Sequence, residues 1–168
     1  LGLNILRIEN EPAGLKKGFT LLDQEDCANI LRELLKKDQL EQDSQSVQWQ
    51  ISHWKNALVS PEQALTTASN DLEYAQARQY LAYQQMLQAY NAVDFDDLLR
   101  LPVQIFTQHP AILDKWQNRI RYLLVDEYQD TNGAQYELVK QLAGVRQALT
   151  VAAREAGVAP PRWRAPLG

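Results

Sequence analysis

Apolar side chains recur at helical spacing through the first half of the chain. Between Asp23 and Lys37 they fall at intervals of three and four positions, on one face of a helix: Cys27, Ile30, Leu31, Leu34 and Leu35. Asp23 stands where an N-cap belongs, and the basic pair Lys36-Lys37 ends the segment where cations favour the helix dipole. The pattern predicts an amphipathic helix over this segment.

The rest of the first 92 residues is also predicted to be helical, apart from a brief extended segment at Phe19–Leu22. The helices are expected over Leu3–Ile8, over Val47–Leu58, after the capping pair Ser60-Pro61, and over Asp71–Tyr90. Residues 1–92 are therefore expected to form a small helical bundle.

Two further helices are predicted over residues 94–119. Asp94 is expected to cap the first, which bends or restarts at Pro102. Pro110 is expected to begin the second, which ends near Arg119.

The pattern then changes to that of a parallel sheet. The continuous apolar run Tyr122–Val125 is typical of a buried parallel strand. A helix over residues 132–142, closed by Gly144, and a second strand over residues 148–151 follow it. A strand, a helix and a strand at this spacing predict a right-handed parallel unit of an α/β sheet.

The composition removes several classes of protein from consideration. With one cysteine, Cys27, and two distant histidines, His53 and His109, neither a disulfide framework nor a His/Cys zinc site is expected. The longest apolar run is too short to cross a bilayer, so no membrane partner is expected. The net charge of −4 gives no indication of a nucleic-acid partner, although the charge of a binding surface is local.

Two carboxylates directly follow the first predicted strand of this sheet. Functional groups gather at the carboxyl ends of parallel strands, which is where Asp126 and Glu127 would lie. Mg²⁺ takes oxygen ligands, so Asp126 is the candidate metal ligand, and Glu127 could orient a water for attack on a γ-phosphate. The alternative is that this pair only caps the next helix. The following run Gln129-Asp130-Thr131 favours a site, because such groups are costly unless they are solvated or paired.

The residues around these carboxylates resemble a known family. The segment Val125-Asp126-Glu127-Tyr128-Gln129-Asp130-Thr131-Asn132 looks like the Walker B region of superfamily 1 DNA helicases of the Rep/UvrD/PcrA type. Three further segments resemble the same family: Asp94–Leu99, Trp116-Gln117 and Gln135–Lys140. Residues 1–56 are similar to the helical accessory insertion of that family. The resemblance covers roughly residues 1–151 and is most specific in its second half.

The resemblance implies a mostly α-helical chain with a small parallel α/β portion. It would comprise an incomplete RecA-like (P-loop NTPase) motor domain and a helical accessory subdomain that lies near the DNA duplex. On this basis residues 1–92 form the accessory subdomain, residues 93–151 the partial motor domain with Walker B, and residues 152–168 an irregular, divergent tail. The intact family protein is a bacterial cytoplasmic, nucleoid-associated enzyme that unwinds DNA 3′→5′ with ATP and Mg²⁺.

The resemblance also implies residue roles. Asp126 matches the residue that coordinates Mg²⁺, and Glu127 matches the catalytic base. Gln129 and Asp130 match positions that couple the nucleotide state to neighbouring motifs.

The sequence departs from the family in its phosphate-binding parts. No Gly-x-x-x-x-Gly-Lys-Ser/Thr loop occurs in the 168 residues, and Gly14–Gly18 does not match it. That loop cradles the phosphates, and the second motor domain with its arginines is also missing, so this chain alone is expected to bind neither ATP nor Mg²⁺ and to be inactive. After Val151 the chain reads Ala152-Ala153-Arg154-Glu155 where the family has Gly-Asp-x-x-Gln.

A different class of function is a stand-alone helical module that binds DNA or protein without enzymatic activity. Trp54 and Lys55, with Trp49 and His53, could form a patch for base stacking and phosphate contact. Their helical spacing favours a core position for Trp54 instead. In either class, the open edges of the strand at residues 122–125 are expected to cause self-association, or partial disorder over residues 121–151.

Overall fold

The computed structural model describes residues 1–120, 123–126, 132–144 and 149–152. Within them the chain is mostly helical and has two small parallel sheets. In chain order the elements are α1 (Gly2–Ile8), β1 (Thr20–Leu21), α2 (Gln24–Lys37), α3 (Ser44–Asn56), α4 (Pro61–Thr67), α5 (Asp71–Ala89), β2 (Ala92–Val93), α6 (Asp97–Gln108), α7 (Pro110–Arg119), β3 (Leu123–Asp126), α8 (Gly133–Ala143) and β4 (Leu149–Ala152). None of the described helices is both long and apolar enough to cross a membrane.

Side-chain caps explain where the central helices begin. The Asp23 carboxylate accepts a hydrogen bond from the Asp26 amide at 2.8 Å, which confirms the predicted start of α2. Ser60 forms a capping box with Gln63, and Pro61 occupies the first turn of α4. Each cap satisfies a backbone N–H that the helix itself leaves without a partner.

The predicted start of α6 is wrong by two residues, because the N-cap is Asp96 and not Asp94. The helix begins at Asp97, after Asp96 at the N-cap position, and not directly after Asp94. Asp94 still accepts a hydrogen bond from the Asp97 amide at 2.9 Å, so its carboxylate organises the turn that precedes the helix.

Pro102 lies inside α6 without dividing it, so the predicted restart at this residue does not occur. A proline has no N–H to donate to the carbonyl four residues earlier, here that of Leu98. The backbone of Gly2 packs against this carbonyl so closely that a Cβ on Gly2 would lie 1.8 Å from the oxygen. Helix α1 therefore fits against α6 where the proline has left a carbonyl without its helical partner.

A short parallel sheet, of which only one strand was predicted, accompanies the helices of the first part of the chain. β1 pairs in parallel with β2, with Thr20 opposite Ala92 and Leu21 opposite Val93. The extended segment at Phe19–Leu22 was predicted, but its partner strand has only two residues and follows directly on a long helix. A strand of that length leaves no readable alternation in the sequence.

Two hydrophobic cores divide the described residues. The first core combines residues near the N-terminus with residues 93–142: Ile5, Leu6, Leu15, Val93, Leu101, Val103, Ile105, Phe106, Trp116, Leu138 and Leu142. The second core comes from one continuous stretch: Cys27, Leu31, Leu35, Val47, Ile51, Ala64, Ala77, Tyr80, Tyr83, Leu87 and Ala92. The segment between β1 and β2 thus forms the second core. The β1–β2 pair connects this segment to the first core.

The predicted strand–helix–strand unit is present at the end of the described chain. β3 pairs in parallel with β4, from Leu123 opposite Leu149 to Asp126 opposite Ala152. Helix α8 lies between them in sequence and buries Leu138 and Leu142 in the first core against α6 and α7.

Candidate functional site

Asp126 is the last residue of β3, which places it at the carboxyl end of a parallel strand pair. Glu127, Gln129 and Asp130 lie outside the described residues, so their predicted roles remain predictions. No group of three metal-ligating side chains occurs in the part of the chain that the structure describes. A carboxylate at this edge has the chemistry that Mg²⁺ accepts, with nucleotide phosphates and waters completing the ligand set.

The N-cap of helix α8, Asn132, lies six residues after Asp126 and forms a capping box. The Gln135 amide donates to Asn132 Oδ1 at 2.8 Å, and the Asn132 amide donates to Gln135 Oε1 at 3.1 Å. The described chain therefore resumes, at Asn132, with a capped helix start.

A side chain from α3 reaches this cap. Asn132 Nδ2 donates to Asn56 Oδ1 at 2.9 Å, and Asn56 Nδ2 donates to Asp96 Oδ1 at 3.1 Å and to Ser52 Oγ at 3.3 Å. Asn56 is the last residue of α3 and Asp96 precedes α6, so three separate elements meet here. Sequence reasoning missed Asn56, because nothing in its local pattern distinguishes it from a surface amide at a helix end.

Lys55 is fully buried, which leaves it no surface to offer to a phosphate. Its ammonium lies 2.6 Å from Asp94 Oδ2 and 3.1 Å from Asp97 Oδ1, and 5.2 Å from the centre of the Tyr83 ring. Arg100 also pairs with Asp97, at 2.9 Å. Two cations and two carboxylates thus form a neutral buried cluster. The only sign in the sequence of buried partners for Lys55 was the acidic segment Asp94–Asp97.

The pKa values of the two carboxylates in this cluster are shifted in opposite directions. Burial raises the pKa of Asp94, and the adjacent charge of Asp97 adds to the effect, although Lys55 opposes it. Burial acts on Asp97 as well, but the ion pairs with Lys55 and Arg100 outweigh it and hold the pKa of Asp97 below its ordinary value. Asp97 is therefore the anion that the cluster stabilises most.

Besides these charged groups, a neutral phenol also contacts Asp94. The Tyr83 hydroxyl donates to Asp94 Oδ2 at 2.9 Å, and burial together with the Asp94 charge raises the pKa of this phenol. Burial likewise raises the pKa of the Cys27 thiol. Cys27 is accordingly a protonated core side chain at neutral pH, as the hydrophobic pattern predicted, and not an activated nucleophile.

The aromatic residues of α3 divide between two faces. Trp49 is 67% exposed and its ring stacks on that of His53 at 5.5 Å. Trp54 is half-buried and stacks on Tyr80 at 5.7 Å, against the second core. The structure therefore does not bring the four residues of the predicted binding patch together on one surface.

A cleft of about 370 Å³ lies beside Trp49, between α2, α3 and the turn after β2. Its charged lining consists of the carboxylates of Asp23, Asp94 and Asp96, and neither lysine nor arginine contributes to it. An acidic lining disfavours the phosphate groups of DNA at this place.

Comparison with known proteins shows the protein family to which the chain belongs. The sequence profile described as UvrD/REP helicase N-terminal domain matches residues 1–153. The chain is 44% identical over 154 residues to the ATP-dependent DNA helicase Rep of Escherichia coli (strain K12), and 43% identical over the same length to that of Salmonella typhimurium. It is 36% identical over 154 residues to the ATP-dependent DNA helicase PcrA of Leuconostoc citreum.

The chain belongs to the UvrD/Rep helicase family. The matches to the two Rep proteins cover 90% of this chain but only 23% of each relative. The match to PcrA covers 90% of this chain and 21% of that relative. The chain thus spans about a quarter of the length of the curated relatives it matches.

Proposed function

We propose that this chain supplies the helical accessory subdomain and the Walker B part of a RecA-like motor domain in a 3′→5′ ATP-dependent DNA helicase. The observation that carries the proposal is the position of Asp126, which ends β3 beside the parallel strand β4, just before the capped start of α8. The two cores support a narrower accessory subdomain than the predicted residues 1–92, because residues 1–21 contribute to the first core.

In this proposal Asp126 holds Mg²⁺ and Glu127 accepts a proton from the attacking water, while Gln129 and Asp130 couple the nucleotide to its surroundings. The ion, when bound, neutralises charge on the phosphates. The acid at the end of β3 fits this role, whereas the 168 residues contain no Gly-Lys-Ser/Thr loop to hold the phosphates. This chain alone is therefore proposed to be inactive.

A titration of the chain with Mg²⁺-ATP tests the inactivity. We expect no binding in the micromolar range, and micromolar affinity would contradict the proposal. The residue roles are tested in a chimera in which this chain replaces the matching segment of the Escherichia coli Rep helicase. There Glu127→Gln should lower ATP hydrolysis by about 10²- to 10⁴-fold and leave Mg²⁺-ATP binding intact.

The chimera needs a control variant at a position away from the candidate site. Gln45→Ala changes an exposed residue of α3 far along the chain from the carboxylates and should leave hydrolysis unchanged. Hydrolysis that survives Glu127→Gln would show that another residue activates the water.

Self-association is a further part of the proposal. Among the described residues β3 pairs only with β4, so its other edge has no partner strand there. An unpaired apolar strand edge favours pairing with a second chain. Light scattering should detect a dimer or larger species. A monodisperse monomer in which the amides of β3 resist hydrogen exchange would contradict this.

The exposed stack of Trp49 on His53 favours a second candidate function, a module that binds DNA or protein without catalysis. Binding of the chain to a duplex–single-strand junction, weakened by salt and by Trp49→Ala, would support it. Absence of binding at low salt would count against DNA as the partner.

A further inference from the structure

Three polar side chains from different elements form one continuous hydrogen-bonded path, the Asp96–Asn56–Asn132 relay. Asp96 accepts from Asn56 at 3.1 Å, and Asn56 accepts from Asn132 at 2.9 Å. The path continues into the backbone, because Asn132 accepts from the Gln135 amide at 2.8 Å. Along the sequence, Asn132 is separated by 36 residues from Asp96 and by 76 residues from Asn56.

The donors and acceptors of the relay all point in one direction. An ionised carboxylate can only accept, so Asn56 turns its Nδ2 toward Asp96 and its Oδ1 toward Asn132. Asn132 must then donate its Nδ2 to Asn56, which leaves its Oδ1 free to cap α8. Reversing either amide would break at least one bond, so the relay has one consistent arrangement.

The backbone reinforces the link at the same place. A Cβ on Gly133, the first residue of α8, would lie 3.1 Å from the Asn56 carbonyl oxygen. Only a residue without a side chain lets α8 approach the end of α3 this closely without a local shift. Both the side chain and the main chain of Asn56 therefore contact the start of α8.

We propose that Asn56 is a positioning residue that ties the first turn of α8 to α3 and to the turn after β2. The inference rests on the proposed function, since the N-cap of α8, Asn132, lies six residues after Asp126. Asn56 belongs to the segment inserted between β1 and β2. A displacement of this segment would thus change the hydrogen bonds that hold the N-cap of α8.

The test is the hydrogen-exchange rate of the Gln135 amide, measured by NMR in the 168-residue chain. Asn56→Ala and Asp96→Ala should each raise this rate by about two- to tenfold, the effect of losing one hydrogen bond. Asp96 makes no capping bond to α6, so Asp96→Ala removes its bond to Asn56 without uncapping that helix.

Conservative variants separate the relay from general stability. Asp96→Asn keeps an oxygen that can accept from Asn56 and should leave the Gln135 rate unchanged. Asn132→Asp keeps the capping acceptor but loses the donor to Asn56, so it should raise the rate as Asn56→Ala does. Gln45→Ala, at an exposed position of the same helix α3, is the matched control and should have no effect.

An unchanged Gln135 rate in Asn56→Ala would overturn the proposal, and so would equal increases in Asp96→Ala and Asp96→Asn. A uniform increase that includes the amides of α5 would also overturn it, because the effect would then be global. If Asn56→Ala does not fold, the two Asp96 variants decide the question. The readout needs neither nucleotide nor DNA, so failure of the Walker B assignment in the chimera is detected separately.

Discussion

The two cores differ in how far apart in sequence their parts lie. The second core is built from one uninterrupted stretch of helices, whereas the first joins α1 to helices about a hundred residues later. Trp116 Nε1 donates to Glu9 Oε1 at 2.8 Å, across 107 residues, and Lys115 pairs with the same carboxylate. An inserted segment can thus form from local signals, while the unit that receives it depends on contacts between distant residues.

The cluster around Lys55 joins these two regions, since Lys55 lies on α3 and its carboxylate partners lie at the start of α6. Lys55→Ala leaves two buried carboxylates without their shared cation. We expect the free energy of unfolding to fall by about 3 to 5 kcal/mol in urea denaturation at pH 7. Lys36→Ala, at an exposed position on α2, is the control and should change it by less than about 0.5 kcal/mol. A loss below about 1 kcal/mol for Lys55→Ala would mean that the cluster does not hold the two cores together.

The partners of Lys55 should differ in importance. Asp97→Asn removes the anion that Lys55 and Arg100 stabilise, and should cost about 3 kcal/mol. Asp94→Asn should cost only about 1 to 2 kcal/mol, because burial and the charge of Asp97 raise the pKa of Asp94 and make its ionised form the less favourable one. The opposite order of the two losses at pH 7 would contradict this assignment.

The same pair predicts a pH dependence. The pKa of Asp97 is lower in the folded chain than its ordinary value of 3.8, so its contribution to stability is present above about pH 4 and is lost as the pH falls further. The wild-type chain should therefore lose stability on acidification below pH 4 more steeply than Asp97→Asn does. Urea midpoints measured at several pH values check this, and parallel curves for the two proteins would refute it.

The smallest expected effect concerns the local signals of the inserted segment. Ser60→Ala removes the cap of α4 and should cost about 1 kcal/mol, with increased exchange limited to the first turn of that helix. Trp49→Ala, at an exposed position, is the comparison and should change stability by less than about 0.5 kcal/mol. A larger loss for Trp49→Ala than for Ser60→Ala would indicate that the exposed stack has a structural role.

Local patterns were sufficient to predict α2, α4 and α7 and the parallel pairing of β3 with β4, because caps and periodic apolar residues act within a few positions. They were not sufficient for β2, a strand of two residues whose partner β1 lies about 70 residues earlier in the sequence. The assignment of residues 1–92 to one bundle did not foresee that α1 packs against α6, since that contact depends on Gly2 meeting the Leu98 carbonyl.

The candidate site shows the same limit. Asp126 followed from the strand pattern, because a strand end is a local feature. The burial of Lys55 did not, since its partners are 39 and 42 residues away in sequence and a lysine at a helix end is usually solvated. Asn56 was missed for the same reason.

Residues 1–21 complete the first core, whereas the helical segment between β1 and β2 is an insertion with its own core. Native-state hydrogen exchange of Leu6→Ala tests this separation of the two cores most directly, because Leu6 is fully buried in the first core. Leu6→Ala should show faster exchange in α1, α6 and α7, and unchanged exchange in α5. Faster exchange in α5 with no change in α6 and α7 would contradict it.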